Sequence, residues 1–365
     1  MKKTKVDIPF LISIIILVVV GYLIFASASL GLLSKQPEKY ANVAFNQTFF
    51  GLLFGSIACF IASRIDYKIY KKFSIYIYIA AAILTLLVFI PGLGFEHGGA
   101  KRWIHLGGFS FQPGEFLKIG FIAILATWVA TAKEKFGTFK FGFLPFMILA
   151  GVTGAILLSQ PDTDTFFIII SAGLAIFVAG GGRWRDLLLG FMIAVVCVAG
   201  LAFTKPYIMN RIQTYINPSE NSLGSGWQIQ QSLIAIGSGG FSGRGFGQSI
   251  QKFNVLPEPI GDSIFAVASE EFGFVGSVTI ILLFVFFAIR GLKIAVKTND
   301  LFGRLMVVGI VILVTTQAFV NIGAMVGVLP LSGITLPFVS HGGTSLFITL
   351  FMMGIVLNIS KNTKK

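Results

Sequence analysis

Ten stretches of this chain are each apolar enough and long enough to cross a lipid bilayer. That property excludes most of what 365 residues could otherwise build. They lie near residues 8–30, 46–64, 73–91, 113–132, 141–158, 164–181, 186–203, 263–289, 303–329 and 337–359. A hydrocarbon core about 30 Å thick contains no water to satisfy backbone polar groups, so each span is expected to be a helix. Only 12% of the residues are charged, against about 25% in soluble domains. The expected architecture is an all-α polytopic membrane protein of about ten transmembrane helices, one integral membrane domain over residues 1–365. Ala26-Ser27-Ala28 imitates a signal-peptidase site, but the apolar stretch before it exceeds the usual 7–15 residues. The first span therefore reads as a retained anchor.

Orientation follows from the basic residues. With a cytoplasmic N-terminus, 19 of the 28 Lys and Arg fall in inner segments and eight in outer ones, with Lys118 inside a span. This obeys the positive-inside rule. An even number of spans then places the basic C-terminus inside as well. The net charge of +13 is thus a matter of topology, and nucleic acid is not an expected partner. The acids run the other way. Asp7, Asp66, Glu134, Asp186 and Asp300 fall inside, while the other ten lie outside or near the outer ends of spans. Costly polar groups therefore gather toward the outer face.

Two outer segments are too long to be connectors: Pro91 to Gln112, and a loop over 204–262 between spans seven and eight. Within the second, Ile229, Leu233 and Ile236 recur at helical spacing, which predicts a short helix at the membrane surface or re-entering it. Gly243-Arg-Gly-Phe-Gly247 follows no strand and opens no βαβ unit, so it is not a nucleotide loop. The glycines from 237 to 247 instead suit tight turns and close approach. Cys59 and Cys197 sit within apolar runs and read as small core residues, not a disulfide framework. His97, His105 and His341 show no metal-binding spacing.

Charges within or beside a span are expensive and so are functional candidates. Glu115 and Lys118 are three apart and share a helix face. They read either as a self-neutralising ion pair or as the charged floor of an outward cavity. Glu270 and Glu271 fall about two turns into the eighth span, in a structural or a functional role. Gln317 and Asn321, four apart, suit hydrogen bonding between helices. Asp262 immediately precedes the eighth span. It has the position of an N-cap, yet also that of a partly desolvated carboxylate at the water boundary, where a raised pKa suits a general base. Lys101, Arg102, Arg211, Arg244 and Lys252 are the basic residues able to meet an anionic headgroup, arginine offering bidentate contacts to phosphate.

The motifs fall in a recognisable order. Ala100-Lys-Arg-Trp-Ile104, Phe111-Gln-Pro-Gly-Glu115 with Lys118, Gln160-Pro-Asp162, Gly226-Trp-Gln-Ile-Gln-Gln-Ser-Leu233 and Ala235-Ile-Gly-Ser-Gly-Gly240 come first. Leu256-Pro-Glu258 with Asp262, Glu270-Glu-Phe-Gly-Phe274 and Leu336-Pro-Phe-Val-Ser-His-Gly-Gly343 follow. Together they resemble the SEDS family (shape, elongation, division, sporulation), which includes FtsW and RodA, over nearly the whole chain. Gln251-Lys-Phe-Asn254 and the glycine-rich loop look more like FtsW. Gly114, Thr163-Asp164-Thr165, Ile260-Gly261 and His341 depart from the usual pattern; none of them removes Asp262, Glu115, Lys118 or Arg102.

The resemblance implies a ten-span peptidoglycan glycosyltransferase of the bacterial cytoplasmic membrane, polymerising lipid II at the outer face, here in cell division. It implies a class B penicillin-binding protein transpeptidase as partner, with other division-complex membrane proteins and membrane lipids around it. By motif match Asp262 takes the family's essential carboxylate position, as general base on the acceptor GlcNAc 4-hydroxyl. Undecaprenyl pyrophosphate is then the leaving group, with Arg102, Glu115, Lys118, Arg244 and Lys252 as candidate substrate-binding residues. A divalent cation is compatible with this chemistry, but no ligand cluster demands one. The competing readings are a lipid II flippase, a non-catalytic division scaffold, and a RodA-like role in elongation.

Overall fold

The computed structural model describes residues 6–97, 100–106, 109–204, 206–217 and 225–363. Among these residues eight helices are long and apolar enough to span a membrane: Ile8–Lys35, Pro37–Arg64, Gly114–Gly137, Phe139–Ser159, Trp184–Leu201, Ile264–Lys297, Leu301–Met325 and Gly343–Ser360. Two shorter apolar helices, Ser74–Phe89 and Thr163–Ala179, complete ten. Each coincides with one of the ten expected stretches. The second begins earlier than its apolar run, at Pro37, and the eighth runs on to Lys297 where the apolar run ends near 289, because basic residues continue the helix without interruption.

Water exclusion does not drive apolar helices together in lipid, so close backbone approach and hydrogen bonds must. Gly354 of the tenth span lies where a Cβ would strike the Cys59 carbonyl of the second, and Gly120 of the fourth abuts the backbone of Tyr78 in the third. Asp7 caps the first span by accepting from the Phe10 amide at 2.9 Å, and Arg290 reaches the same carboxylate at 2.8 Å. One acid thus finishes one helix and ties it to another. The fourth, ninth and tenth spans are the most enclosed, while the seventh lies almost wholly on the bundle's surface. Cys197 is exposed on that seventh span and Cys59 is half-buried, so neither is the core residue expected.

Successive spans reverse direction, so the long connections share one end of the bundle, called here the loop face. The first of them is not irregular. Gly94–His97, Ala100–Leu106 and Phe109–Phe111 form an antiparallel three-stranded sheet, with Gly94 opposite Ile104 and Ile104 opposite Phe111. The second contains helices Pro206–Ile216, Ser225–Ser238 and Gln251–Asn254. Ser225–Ser238 is the expected short helix, but its buried face is Ile229, Ser232 and Ala235 rather than Ile229, Leu233 and Ile236. Leu233 stays 43% exposed, and Gly239, just past the helix, packs on the Ser269 carbonyl of the eighth span.

The eighth span is broken. Gly273 stands at φ 65°, ψ −161°, which frees backbone groups on both sides of it. The glycine-rich loop takes them up. The amides of Arg244 and Gly245 donate to the Glu270 and Glu271 carbonyls at 3.0 and 2.9 Å. The carbonyls of Gly240 and Phe241 accept from Phe274 and Val275 at 2.9 and 3.2 Å. A Cβ at Gly243 would meet the Glu271 carbonyl, and one at Gly273 the Gly243 nitrogen. A non-helical segment at this depth is tolerated because its polar groups are satisfied by the loop.

Candidate active site

Asp262 stands in the turn that delivers the chain into the eighth span. It does not cap that span: the cap position belongs to Ser263, and no side chain bonds the first amides. Its Oδ1 is buried and without a hydrogen-bond partner. The residue as a whole is half-buried. Burial pushes its carboxyl up to about 6, the Gln228 amide holds it down, and the Glu258 charge pushes it further up. A carboxylate largely ionised at neutral pH, yet basic enough to take a proton, is what general-base chemistry needs.

The backbone around this carboxylate is pinned at three successive carbonyls. Ile260 O accepts from the His341 amide, Gly261 O from Ser340 Oγ, and Asp262 O from Asn321 Nδ2, each at 2.7 Å. All three donors come from the ninth span or from the segment joining it to the tenth. Asn321 Nδ2 also holds the Ile334 carbonyl at 2.7 Å. Gln228 Nε2 donates to Ser263 Oγ at 3.0 Å, which docks helix Ser225–Ser238 against the same turn.

One turn of helix from Asn321, Gln317 connects this seam to the fourth span. Gln317 Oε1 accepts from Lys118 Nζ at 3.1 Å, and Gln317 Nε2 donates to the Thr335 carbonyl at 3.0 Å. Lys118 Nζ lies 2.7 Å from Glu115 Oε1, both side chains being buried. The two open readings of this pair meet here: it is an ion pair, and Glu115 keeps a second buried oxygen with no partner. Gln317 and Asn321 bond between elements as expected, and through them Lys118 and the Asp262 turn belong to one polar seam.

The expected basic residues divide. Arg102, on the second strand, points at the turn between the fifth and sixth spans. Its Nη2 donates to the Pro161 carbonyl, its Nε to the Gln160 carbonyl at 3.4 Å, and its Nη1 lies 3.6 Å from Asp162. Arg211 pairs with Asp164 at 2.8 Å. Arg244 lies 3.3 Å from Glu270, with over a third of its side chain exposed. Lys252 is different. It is wholly buried, and Nζ donates to Glu271 Oε1 at 2.7 Å, Gly247 O at 2.8 Å and Ser27 Oγ at 2.9 Å. All three of its donors are taken, so it braces the glycine-rich loop and has none left for phosphate. Glu270 accepts from Ser249 Oγ, the Ile250 amide and the Gln251 amide at 2.6, 3.1 and 3.2 Å. Both glutamates thus hold the loop in place.

Among the described residues no three His, Cys, Asp or Glu side chains gather as metal ligands. Sequence reasoning passed over Gln47, and met Gln228 and Ser340 only as members of motifs, with no role for either. Nothing in composition or spacing marks them; their partners are distant in the chain.

The family model for FtsW, RodA and SpoVE, described as cell cycle protein, matches residues 8–365. Stage V sporulation protein E of Bacillus subtilis is 39% identical, the match covering 100% of this chain and 99% of that protein. A probable peptidoglycan glycosyltransferase FtsW of Geobacter sp. is 36% identical over 97% of this chain and 96% of its own. Among solved structures, a chain of a peptidoglycan synthase complex superposes with a TM-score of 0.81 at 26% identity, covering 98% of both chains. The rod shape determining protein RodA of Thermus thermophilus shares the fold, with a TM-score of 0.70 at 24% identity over 99% and 98% of the two chains. With a family model spanning all but the first seven residues and full-length relatives above 30% identity, the chain belongs to the FtsW/RodA/SpoVE family of membrane proteins.

Proposed function

We propose that this protein is a peptidoglycan glycosyltransferase that polymerises lipid II during cell division. In this reading the loop face is the extracytoplasmic side of the cytoplasmic membrane and both termini are cytoplasmic. The observation that carries it is the Asp262 carboxylate: raised in basicity by burial, with one oxygen unpartnered, on a turn pinned at three carbonyls. A group used only to finish a helix would bond the first amides, and this one does not.

Asp262 accepts the proton of the acceptor GlcNAc 4-hydroxyl as that oxygen attacks the donor MurNAc C1. The new O4–C1 bond forms as the bond from C1 to the pyrophosphate oxygen breaks. C1 inverts from α to β, and undecaprenyl pyrophosphate leaves with its electron pair. Base catalysis of this kind contributes about 10²–10⁴-fold. The leaving group carries its own charge, so cations matter more than a protein acid. Arg244, the most exposed of the candidate arginines, is the first to meet phosphate, with Arg102 holding the neighbouring turn. Glu115 and Lys118 set the floor. A class B penicillin-binding protein supplies crosslinking.

The test is polymerisation of labelled lipid II in liposomes, with and without that transpeptidase, for wild type and Asp262→Asn. Glycan strands from wild type alone support both enzyme and base. Equal strands from both remove Asp262 from the chemistry. Strands from neither, together with lipid II translocation, indicate a flippase.

A further inference from the structure

Gln47 belongs to none of the motifs above and has no direct contact with Asp262. It sits within the second span, in the half nearer the loop face, where Asn46–Phe54 is wound as a π-helix. Such turns are rare and re-aim side chains relative to an α-helix. This one places Gln47 inside the bundle at 1% exposure, against the segment joining the ninth and tenth spans. Its Nε2 donates to the Ser340 carbonyl at 3.2 Å, and its Oε1 accepts from the Gly342 amide at 3.0 Å. One amide therefore closes on both ends of a three-residue stretch, as a neighbouring strand would.

The same stretch supplies two of the three bonds that hold the Asp262 turn: Ser340 Oγ to Gly261 O and the His341 amide to Ile260 O. Its position leaves little slack on other sides. Ser340 Oγ accepts from the Leu336 amide at 2.7 Å. Phe338, buried at φ 66°, presses its carbonyl where a Cβ of Gly21 would lie, and Gly343 packs on the Asn46 carbonyl. A buried amide side chain that both donates and accepts is needed here. A carboxylate would leave the Ser340 carbonyl without a donor, and an apolar side chain would leave both backbone groups bare.

We propose that Gln47 is a positioning residue for Asp262, fixing the 340–342 backbone that in turn fixes the Ile260–Asp262 carbonyls. The inference rests on Asp262 being the base proposed above. A displacement of about 1 Å in a catalytic group can cost on the order of 10²-fold in rate. Loosening the clamp also lets water reach a carboxylate whose basicity comes from burial, leaving Glu258 as the nearby charge acting on it.

The test compares Gln47→Met and Gln47→Glu with wild type in the liposome assay with the transpeptidase. Rates are normalised to folded, monodisperse protein, so a partial loss of folding does not enter the comparison. Expected are a kcat at least tenfold lower, a KM for lipid II within about twofold, and an acid limb of the kcat/KM profile displaced toward lower pH. A residue that merely supports folding would change the yield of folded protein and leave kcat and the acid limb of that protein unmoved. Wild-type kcat and acid limb in either variant overturn the proposal. Asp262→Asn run alongside separates the two readings. Activity in that variant sinks the assignment of the base. An inactive Asp262→Asn beside fully active Gln47 variants sinks only the clamp.

Discussion

Lys252→Met tests whether a basic residue whose three donors are all taken is a brace or a substrate ligand. The side chain is wholly buried against an equally buried Glu271, with Nζ at 2.7 Å from the carboxylate. The substitution keeps volume and removes three donors, leaving the Gly247 carbonyl bare. Glu271 retains Ser27 Oγ at 2.6 and 2.8 Å and the Ser249 amide at 3.4 Å, too little to compensate a buried charge. Removing one partner of a buried pair costs about 3–5 kcal/mol. Scaling the about 2–4 °C per kcal/mol of a 150–250-residue protein down for this longer chain gives a fall in Tm of roughly 5–10 °C. Adding Glu271→Met removes the stranded charge and returns most of that loss, because replacing both members of such a pair by apolar residues is often neutral. The assay is thermal unfolding of purified protein in one detergent, for both single variants and the double. An unchanged Tm in Lys252→Met, joined to a KM for lipid II raised tenfold or more, would refute the reasoning and make Lys252 a phosphate ligand.

Other consequences can be measured on the same preparations. The raised pKa of Asp262 predicts that kcat/KM falls as pH drops through about 6, a limb that Asp262→Asn lacks because it has no activity to lose. The sign for stability is opposite to that of a salt-bridged acid. With its folded pKa above the ordinary 3.8, Asp262 favours the fold fully below about pH 4, and that contribution is lost as pH rises through about 6. Asp262→Asn should therefore melt no lower than wild type at pH 8, and Asp262→Ala should do the same, whereas an alanine in place of a true N-cap would cost about 1 kcal/mol. Gly273→Ala places a side chain at φ 65° and against the Gly243 nitrogen. Backbone strain of about 1–3 kcal/mol plus the displaced loop should appear as a lower Tm and faster proteolysis within residues 239–250. Arg211→Ala breaks an ion pair that is a third exposed on the arginine side but mostly buried at Asp164, and its Tm should fall by more than the equivalent of about 1 kcal/mol of a surface pair and by less than the about 3–5 kcal/mol of a buried one.

The ten spans were legible in the sequence because bilayer thickness demands some 20 consecutive apolar residues wherever a helix crosses, and that demand is met locally. Asp262, Glu115 and Lys118 were legible for a related reason: a charge beside or inside a span is costly enough to mark itself. Of the first loop only its length, too great for a connector, was legible, because strand pairing joins backbone groups of separate segments. What a polar residue bonds to had no local signature at all. Lys252 and Arg244 read alike as basic residues of one loop, yet packing buries the first on Glu271 and leaves the second at the surface on Glu270. The break at Gly273 decides this, since it opens the backbone onto which the loop docks. Gln47 meets its partners nearly three hundred residues away. Apolar length is a property of each segment by itself, and the sequence by itself determines it. A hydrogen bond needs two groups within about 3 Å, and only the packing of the helices decides which two those are.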